Sequence, residues 1–463
     1  MRDASLIVTL LCTLAASAVP SRAASQTLSP FQRGVPSGTV SAEPIALTVA
    51  DAVMRALEHN LGLILAEQRL GESGGARLRA LSELLPNVRG RLYASSQKVN
   101  LEAFGIPLPA GFPLVVGPFG VYDGRVYLTQ SIWDVSARND VRAESHLVEA
   151  ARFDVKYARE VVIVATSNGY WQAVASAARL DAVRAQIETA QALARQAADM
   201  KAAGLVAGID VLRADVQLDT TRQRRTAAQT DFEKSKLQLA RIIGLPTGQA
   251  FTLADPIRES EFPDITLDQA LERAYRSRSD YQATVERVRA AESERRAAAT
   301  ERYPAVRVNA DYGAIGVTPA DAVGTYTVLG AVEFPIFQGG RIRGRLAEAD
   351  AALRSRRAEA DDVKAGVYYE VQTALLDLNA SREQLQVATR TRDLAAAQLT
   401  QARDRFAAGV AGNIEVVQAQ EAVARASDQY IAALFTSNLA AGNLVRAMGI
   451  AEDVARQYLE GVR

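Results

Sequence analysis

The chain is 463 residues long, and its 53 Lys and Arg balance its 53 Asp and Glu. That balance gives no electrostatic footprint for nucleic acid. One cysteine and two histidines exclude a disulfide framework and leave no set of soft metal ligands.

Residues 1–23 read as a secretory signal peptide. Arg2 is the basic start, Leu6 to Ala18 is apolar, and Ala16-Ser17-Ala18 and Ser21-Arg22-Ala23 offer small-residue cleavage sites. Cys12 lies inside this run, behind Leu11, where lipoprotein processing wants a small residue. Residues 24–45 are rich in Ser, Pro and Gly and read as a flexible linker. Beyond the signal there is no run of about 18 apolar residues, so no membrane-spanning helix is expected.

The rest is written twice. Ala46 to Ala52 resembles Asp264 to Ala270, and Glu83 to Arg89 resembles Glu301 to Arg307, each 218 residues on (265 − 47, 304 − 86). Ala203-Gly204 resembles Ala408-Gly409, and Ile209-Asp210-Val211 resembles Ile414-Glu415-Val416. Leu239 to Leu245 likewise matches Leu444 to Ile450. These three share an offset of 205 (409 − 204, 449 − 244). The first copy covers 46–252, a linker with Pro256 and Pro263 covers 253–263, and the second copy covers 264–463. The smaller second offset places an insertion in the first copy.

Each copy opens with a short amphipathic helix (Val49–His59; Leu267–Arg276). A second helix follows and stops before a proline (Leu61–Leu84; Ser279–Arg302). The period then changes to two, giving strands at about 87–98 and 121–132, and at about 305–316 and 325–336. Val306, Val308 and Ala310 alternate with Arg307, Asn309 and Asp311, so each strand has one apolar face. Lys98 to Gly120 holds Ile106 to Pro113 and Gly117-Pro118; it reads as a long loop, with Val317 to Gly324 as its shorter counterpart.

A long helix comes next, at about 136–203 and about 341–408. The first has no proline and one glycine, Gly169, and at 1.5 Å per residue it spans roughly 100 Å. Leu180, Val183, Ile187, Ala190, Ala194 and Ala197 make a coiled-coil-like seam along it. Glycine turns end both long helices, and return helices follow at about 209–243 and 413–448.

Four strands of about ten residues suit a tilted membrane crossing, but four cannot close a barrel and lipid forbids open edges. Closure needs several chains: two would supply 8 strands and three would supply 12. A soluble sheet capping a coiled coil is the other reading of the same pattern. Nothing nominates a catalytic, cofactor-binding or metal residue: His59 and His146 lack ligand partners at helical spacing, and phosphate-loop, nucleophile-elbow and zinc signatures are missing.

The most specific residues are the turns, Ala203 to Val211 and Arg405 to Val417. The Leu85-Pro86 and Tyr303-Pro304 junctions and the passage Phe334 to Gly340 support them. In this order, from Ala46 onward, the chain resembles the TolC-like outer-membrane efflux protein family. The resemblance implies a mixed α and β membrane protein with an internal two-fold repeat. It implies a homotrimer whose 12-stranded β-barrel, four strands per chain, sits in outer-membrane lipid and continues as a long periplasmic α-helical barrel. The function implied is a passive exit duct for efflux or type I secretion, working with an RND or ABC inner-membrane pump and a periplasmic adaptor. Gly204, Leu205, Val206, Gly208, Gly409, Val410 and Gly412 would form the adaptor-docking tip. Asp210, Glu415, Gln418 and the aromatic Phe406 would form the periplasmic gate, Gln418 standing where the family often has a second acid. A periplasmic coiled-coil adaptor or structural protein is the alternative.

Overall fold

The computed structural model describes residues 29–105, 109, 111–259 and 262–461. The expected signal peptide, Cys12 included, lies outside the described residues, as do Ile106, Pro107 and Leu108 of the expected loop. In chain order the elements are β1 (Ile45–Leu47), α1 (Val49–His59), α2 (Leu61–Ser82), β2 (Asn87–Asn100), β3 (Val115–Trp133), α3 (Val135–Ala202) and α4 (Gly208–Ile242). There follow β4 (Phe251–Leu253), α5 (Leu267–Ser277), α6 (Ser279–Thr300), β5 (Ala305–Gly316), β6 (Val323–Glu333), α7 (Arg341–Ala407), α8 (Asn413–Ala447) and α9 (Ala451–Gly461). The two halves match in length: 11 and 11 residues for α1 and α5, 22 and 22 for α2 and α6, 68 and 67 for α3 and α7, and 35 and 35 for α4 and α8.

Local chemistry sets the helix starts. In α1 the Thr48 hydroxyl accepts from Asp51 N–H at 3.1 Å while the Asp51 carboxylate accepts from Thr48 N–H at 3.1 Å. Thr266 and Gln269 repeat this reciprocal cap at α5, so two free donors are satisfied at each start. The long α3 packs against α2 and α4, and also against α6 and α8; α7 packs on α6 and α8. Where helices meet, the buried residue is often alanine: Ala197 against Ala214, Ala402 beside Ala419, Ala158 and Ala173 in the middle of α3. Small side chains let helix axes approach closely. Of the expected seam, Leu180, Val183, Ala190, Ala194 and Ala197 are buried and Ile187 is half-buried.

The middle of the molecule is a packed belt. The first two turns of α2 (Leu63, Ala66) meet the last turn of α4 (Leu239, Ile242) on the α3 face that carries Val162 and Tyr170. Tyr170 is fully buried; its hydroxyl donates to the Leu47 carbonyl at 2.9 Å and accepts from Asp255 N–H at 3.1 Å. That ties β1 and the segment after β4 to the long helix. A second core joins Ala270 and Ala274 of α5 to Val367 and Val371 of α7 and Leu444 of α8.

Both expected linkers pack against the helices. From Ser29 onward the N-terminal segment is built into the belt. Pro30–Gln32 forms a 3-10 turn, Phe31 packs on Gly62, and Asn60 Nδ2 donates to the Phe31 carbonyl at 2.9 Å. Gly34 lies against Gly244, where a Cβ would come within 2.3 Å of backbone, so no larger residue fits. In the linker at 253–263, Asp255 caps the Val49 N–H at 2.7 Å, and Phe262 packs on two cores. Ser, Pro and Gly content signals turns and says nothing of what those turns pack on. The helix α9 lay in no expected element; Glu452 in its first turn pairs with Arg159 of α3 at 3.2 Å.

The large sheet has the order β2-β3-β5-β6, antiparallel throughout. Its register separates two faces. Arg89 stands opposite Tyr127, Tyr127 opposite Asp311, and Asp311 opposite Thr327. On the other face Val88 pairs with Leu128, Leu128 with Ala310, and Ala310 with Val328. Arg89, Arg91, Asp123, Arg125, Arg307, Asp311 and Glu333 all fall on the first face; only Lys98, at a bulge, departs from the pattern. The expected long loop also needs correction. β3 begins at Val115, Phe119 pairs with Gln97 and Val116 pairs with Val99, and Gly117-Pro118 sit in the bulge between them. There β3 is paired on one side only, since its pairing with β5 starts at Tyr122, and an edge tolerates the missing proline N–H. The strand expected at 325–336 runs instead over 323–333, and Phe334 to Gly340 forms the passage into α7, closed by Gly340 at φ +90°.

Candidate gate and docking tip

The two hairpins, α3–α4 and α7–α8, end in matching turns. Gly204 (φ +75°) and Gly409 (φ +71°) follow the helix caps in the left-handed region, as their sequence positions predict. In the first turn Leu205 N–H reaches the Met200 carbonyl at 2.8 Å and Gly204 N–H the Lys201 carbonyl at 3.0 Å. Val410 to Arg405 and Gly409 to Phe406 repeat both bonds, each at 3.0 Å. These satisfy carbonyls that a helix end leaves free. Leu205 and Val410 stand out at 71% and 70% exposure, with Gly204, Gly409 and Gly412 exposed beside them. Val206 turns inward, and Gly208 starts α4 next to Lys201.

The four expected gate residues do not share one environment. Asp210 is in the first turn of α4, pairs with Arg213 at 3.4 Å, and is mostly covered. Glu415 is in the first turn of α8, pairs with Arg405 at 3.5 Å, and is more exposed. Both acids suit the positive end of a helix dipole. Gln418 is exposed. Phe406 is 2% exposed, packed among Leu193, Ala402, Val416 and Ala419. It is a bolt between the hairpins in this conformation, because an aromatic ring gains more from that apolar seam than from water.

Other residues tie the hairpins together, and sequence reading missed them. Asn413 is fully buried, and its Nδ2 donates to the Asp210 carbonyl at 2.8 Å. Glu421 of α8 accepts from Gln217 at 2.8 Å and from Arg224 at 3.0 Å, both on α4. Burial pushes the Glu421 carboxyl up, but the Arg224 and Gln217 hydrogen bonds outweigh it and hold it below the usual carboxylate range. The only hint was asymmetry: under the 205 offset Asn413 answers to Gly208, and Glu421 to Val216. Beside this clamp lies a hollow of about 210 Å³ lined by Gln186, Thr189, Gln217, Thr221 and Gln420.

His146 does find a partner, in space and not in sequence: its Nδ1 lies 2.8 Å from Glu286 of α6. Among the described residues no three His, Cys, Asp or Glu gather where they could hold a metal ion. Among the same residues no helix is long and apolar enough to cross a membrane.

The model of the outer membrane efflux protein family matches residues 53–245 and 268–450. The fold is similar to the outer membrane channel CmeC of Campylobacter jejuni, with TM-score 0.75 at 18% identity over 89% of this chain and 88% of that one. It is similar to the outer membrane protein VceC of Vibrio cholerae, with TM-score 0.75 at 19% identity over 87% and 96%. The open state of the MtrE outer membrane channel of Neisseria gonorrhoeae gives TM-score 0.74 at 16% identity over 89% and 94%. No curated protein sequence matches the chain. The family model spans both halves, breaks at the linker between them, and covers most of the chain: the protein belongs to the outer membrane efflux protein family.

Proposed function

We propose that three copies of this chain, each carrying two copies of one ancestral unit, close a single barrel in the outer membrane and a single tunnel below it. The assembly is the passive exit duct of a tripartite efflux or type I secretion system. An inner-membrane pump supplies the energy, and a periplasmic adaptor docks on the tip. The observation that carries this reading is the sheet. One face holds every strand charge outside the bulge; the other exposes Leu92, Tyr312, Tyr326 and Val328. A charge-free face suits lipid, and a polar face suits a lumen. A periplasmic adaptor has no use for such a face.

The free edges support the trimer. Among the described residues β2 and β6 each lack a partner on one side, and lipid tolerates no open edge. An antiparallel β2–β6 pairing between subunits keeps both faces only if even-numbered residues meet even-numbered ones, because a one-residue slip inverts every side chain. The helices are likewise unfinished. Gly71, Gly74 and Gly75 of α2 and Gly344 and Gly366 of α7 have nothing among the described residues within 4 Å of an added Cβ. Glycine inside a helix costs about 1 kcal/mol against alanine. A neighbouring helix that approaches closely would repay that cost. Mass measurement in mild detergent is expected to give three chains. A stable monomer with full strand content would overturn the trimer.

At the periplasmic end the tie between hairpins holds the entrance narrow. Because the Glu421 pKa is depressed, its contribution is present above the ordinary carboxylate range and is lost only as pH falls through the lowered value. Three Glu415 carboxylates around the axis would favour cations there. In planar bilayers the wild type is expected to be mostly closed and blocked from the periplasmic side by multivalent cations. Glu421→Ala should raise the open fraction on the order of tenfold, the loss of about 1.4 kcal/mol of clamp. Glu415→Gln should weaken the block without raising the open fraction. If the block survives Glu415→Gln and Asp210→Asn together, those acids serve only their helix ends.

A further inference from the structure

The polar face of the sheet holds an arrangement that efflux as such does not require. Arg91 of β2 stands directly opposite Arg125 of β3. Like charges opposite one another in a sheet are destabilising unless something lies between or beside them. Arg125 is compensated: it pairs with Asp123 at 3.2 Å and with Asp311, and it donates to Thr325 Oγ1 at 3.0 Å. Arg91 is not. Its guanidinium lies 5.4 Å from the centre of the Tyr93 ring, and among the described residues neither it nor Arg89, two positions earlier on the same face, has an acidic partner. Arg91, Tyr93, Asp123, Arg125 and Tyr127 line a hollow of about 180 Å³.

We propose that this hollow is an oxyanion-binding site in the exit lumen, which takes carboxylate-, phosphate- or sulfonate-bearing solutes on the Arg91 guanidinium. The planar guanidinium fork matches such groups, and a stacked ring beneath it pre-orients the fork. An oxyanion there also relieves the Arg91–Arg125 opposition, which Asp123 and Asp311 relieve from the Arg125 side only. The seven strand charges on this face comprise four arginines against three acids, so the barrel carries a net positive charge per chain. The site rests on the reading of this face as a lumen, and three copies would form a girdle around it.

The test is calorimetric titration of the purified protein, in neutral detergent and low salt, with inorganic pyrophosphate as probe. The mass of the same sample is measured first. Pyrophosphate is expected to bind the wild type, Arg91→Gln to weaken it at least tenfold, and Arg91→Lys to fall between, since it keeps the charge and loses the fork. Should Arg91→Gln fail to assemble, the Arg91→Lys titration carries the comparison. A trimer that binds no pyrophosphate, or whose binding is unchanged in both variants, overturns the site and leaves the duct standing. A trimer that binds only once Glu333→Gln is introduced also overturns it, because Arg91 is then neutralised by a neighbouring subunit. A sample that is not a trimer refutes the lumen itself.

Discussion

Replacing Gly204 and Gly409 together by tryptophan is expected to abolish export while leaving the assembled channel in the membrane. Both glycines adopt positive φ, and a side chain there costs roughly 1–2 kcal/mol of backbone strain. Among the described residues neither has a neighbour within 4 Å of an added Cβ, so the indole projects outward and displaces none of them. The packing that holds the hairpins together, Phe406 with Leu193 and Val416, and Ala197 with Ala214, lies behind the turns and is untouched. An adaptor meeting the tip would encounter six indoles per trimer where it now finds small turns flanked by Leu205 and Val410. Export of a fluorescent pump substrate should fall to the level of a strain lacking the channel, with trimer yield unchanged. Alanine at both positions is the control: it brings the strain without the bulk and should export normally. Normal export by the tryptophan pair would place docking elsewhere, and failure of the alanine pair would assign the effect to the backbone.

The second large effect concerns Glu160, a little over a third of the way along α3. It is 3% exposed, and its carboxylate accepts from Ser279 Oγ at 3.2 Å, at the start of α6. Burial raises its pKa from 4.5 to about 7; the Ser279 bond and Lys156 oppose the shift, while Asp280 and Glu452 add to it. The folded-state value is the higher one. Folding therefore carries no penalty from this group below about 4.5, and the penalty grows as pH rises and levels off above about 7. A shift of that size corresponds to about 3 kcal/mol per chain. Glu160→Gln, which mimics the neutral acid, should match the wild type near the acid end and be clearly more stable at pH 8. Unfolding followed across this window should give a falling curve for the wild type and a flatter one for the variant. Parallel curves would mean that Glu160 stays hydrated in the assembly.

What the sequence by itself determined is local or repetitive. Long stretches without proline, rich in alanine and other strong helix formers, have few alternatives to helix, and α3 and α7 lie within one residue of the expected bounds. Two-residue alternation separates Arg307 and Asp311 from Val306 and Ala310 whatever the strand pairs with. Gly204 and Gly409 were legible because a helix that reverses sharply needs a left-handed residue.

Tertiary structure alone decided the rest. Phe31 and Gly34 look like linker until Gly62 and Gly244 are seen beneath them. Val115 to Gly120 looks like loop until Gln97 and Val99 pair with it. Phe406 is buried because Leu193, more than 200 positions away in the chain, arrives on its ring. Glu421 is a clamp because Gln217 and Arg224 stand 204 and 197 positions away. In each case the deciding free energy belongs to a pair of distant groups leaving water together. Neither member carries a local mark of it, since periodicity reports only which face of an element is apolar, not which residue comes to cover it.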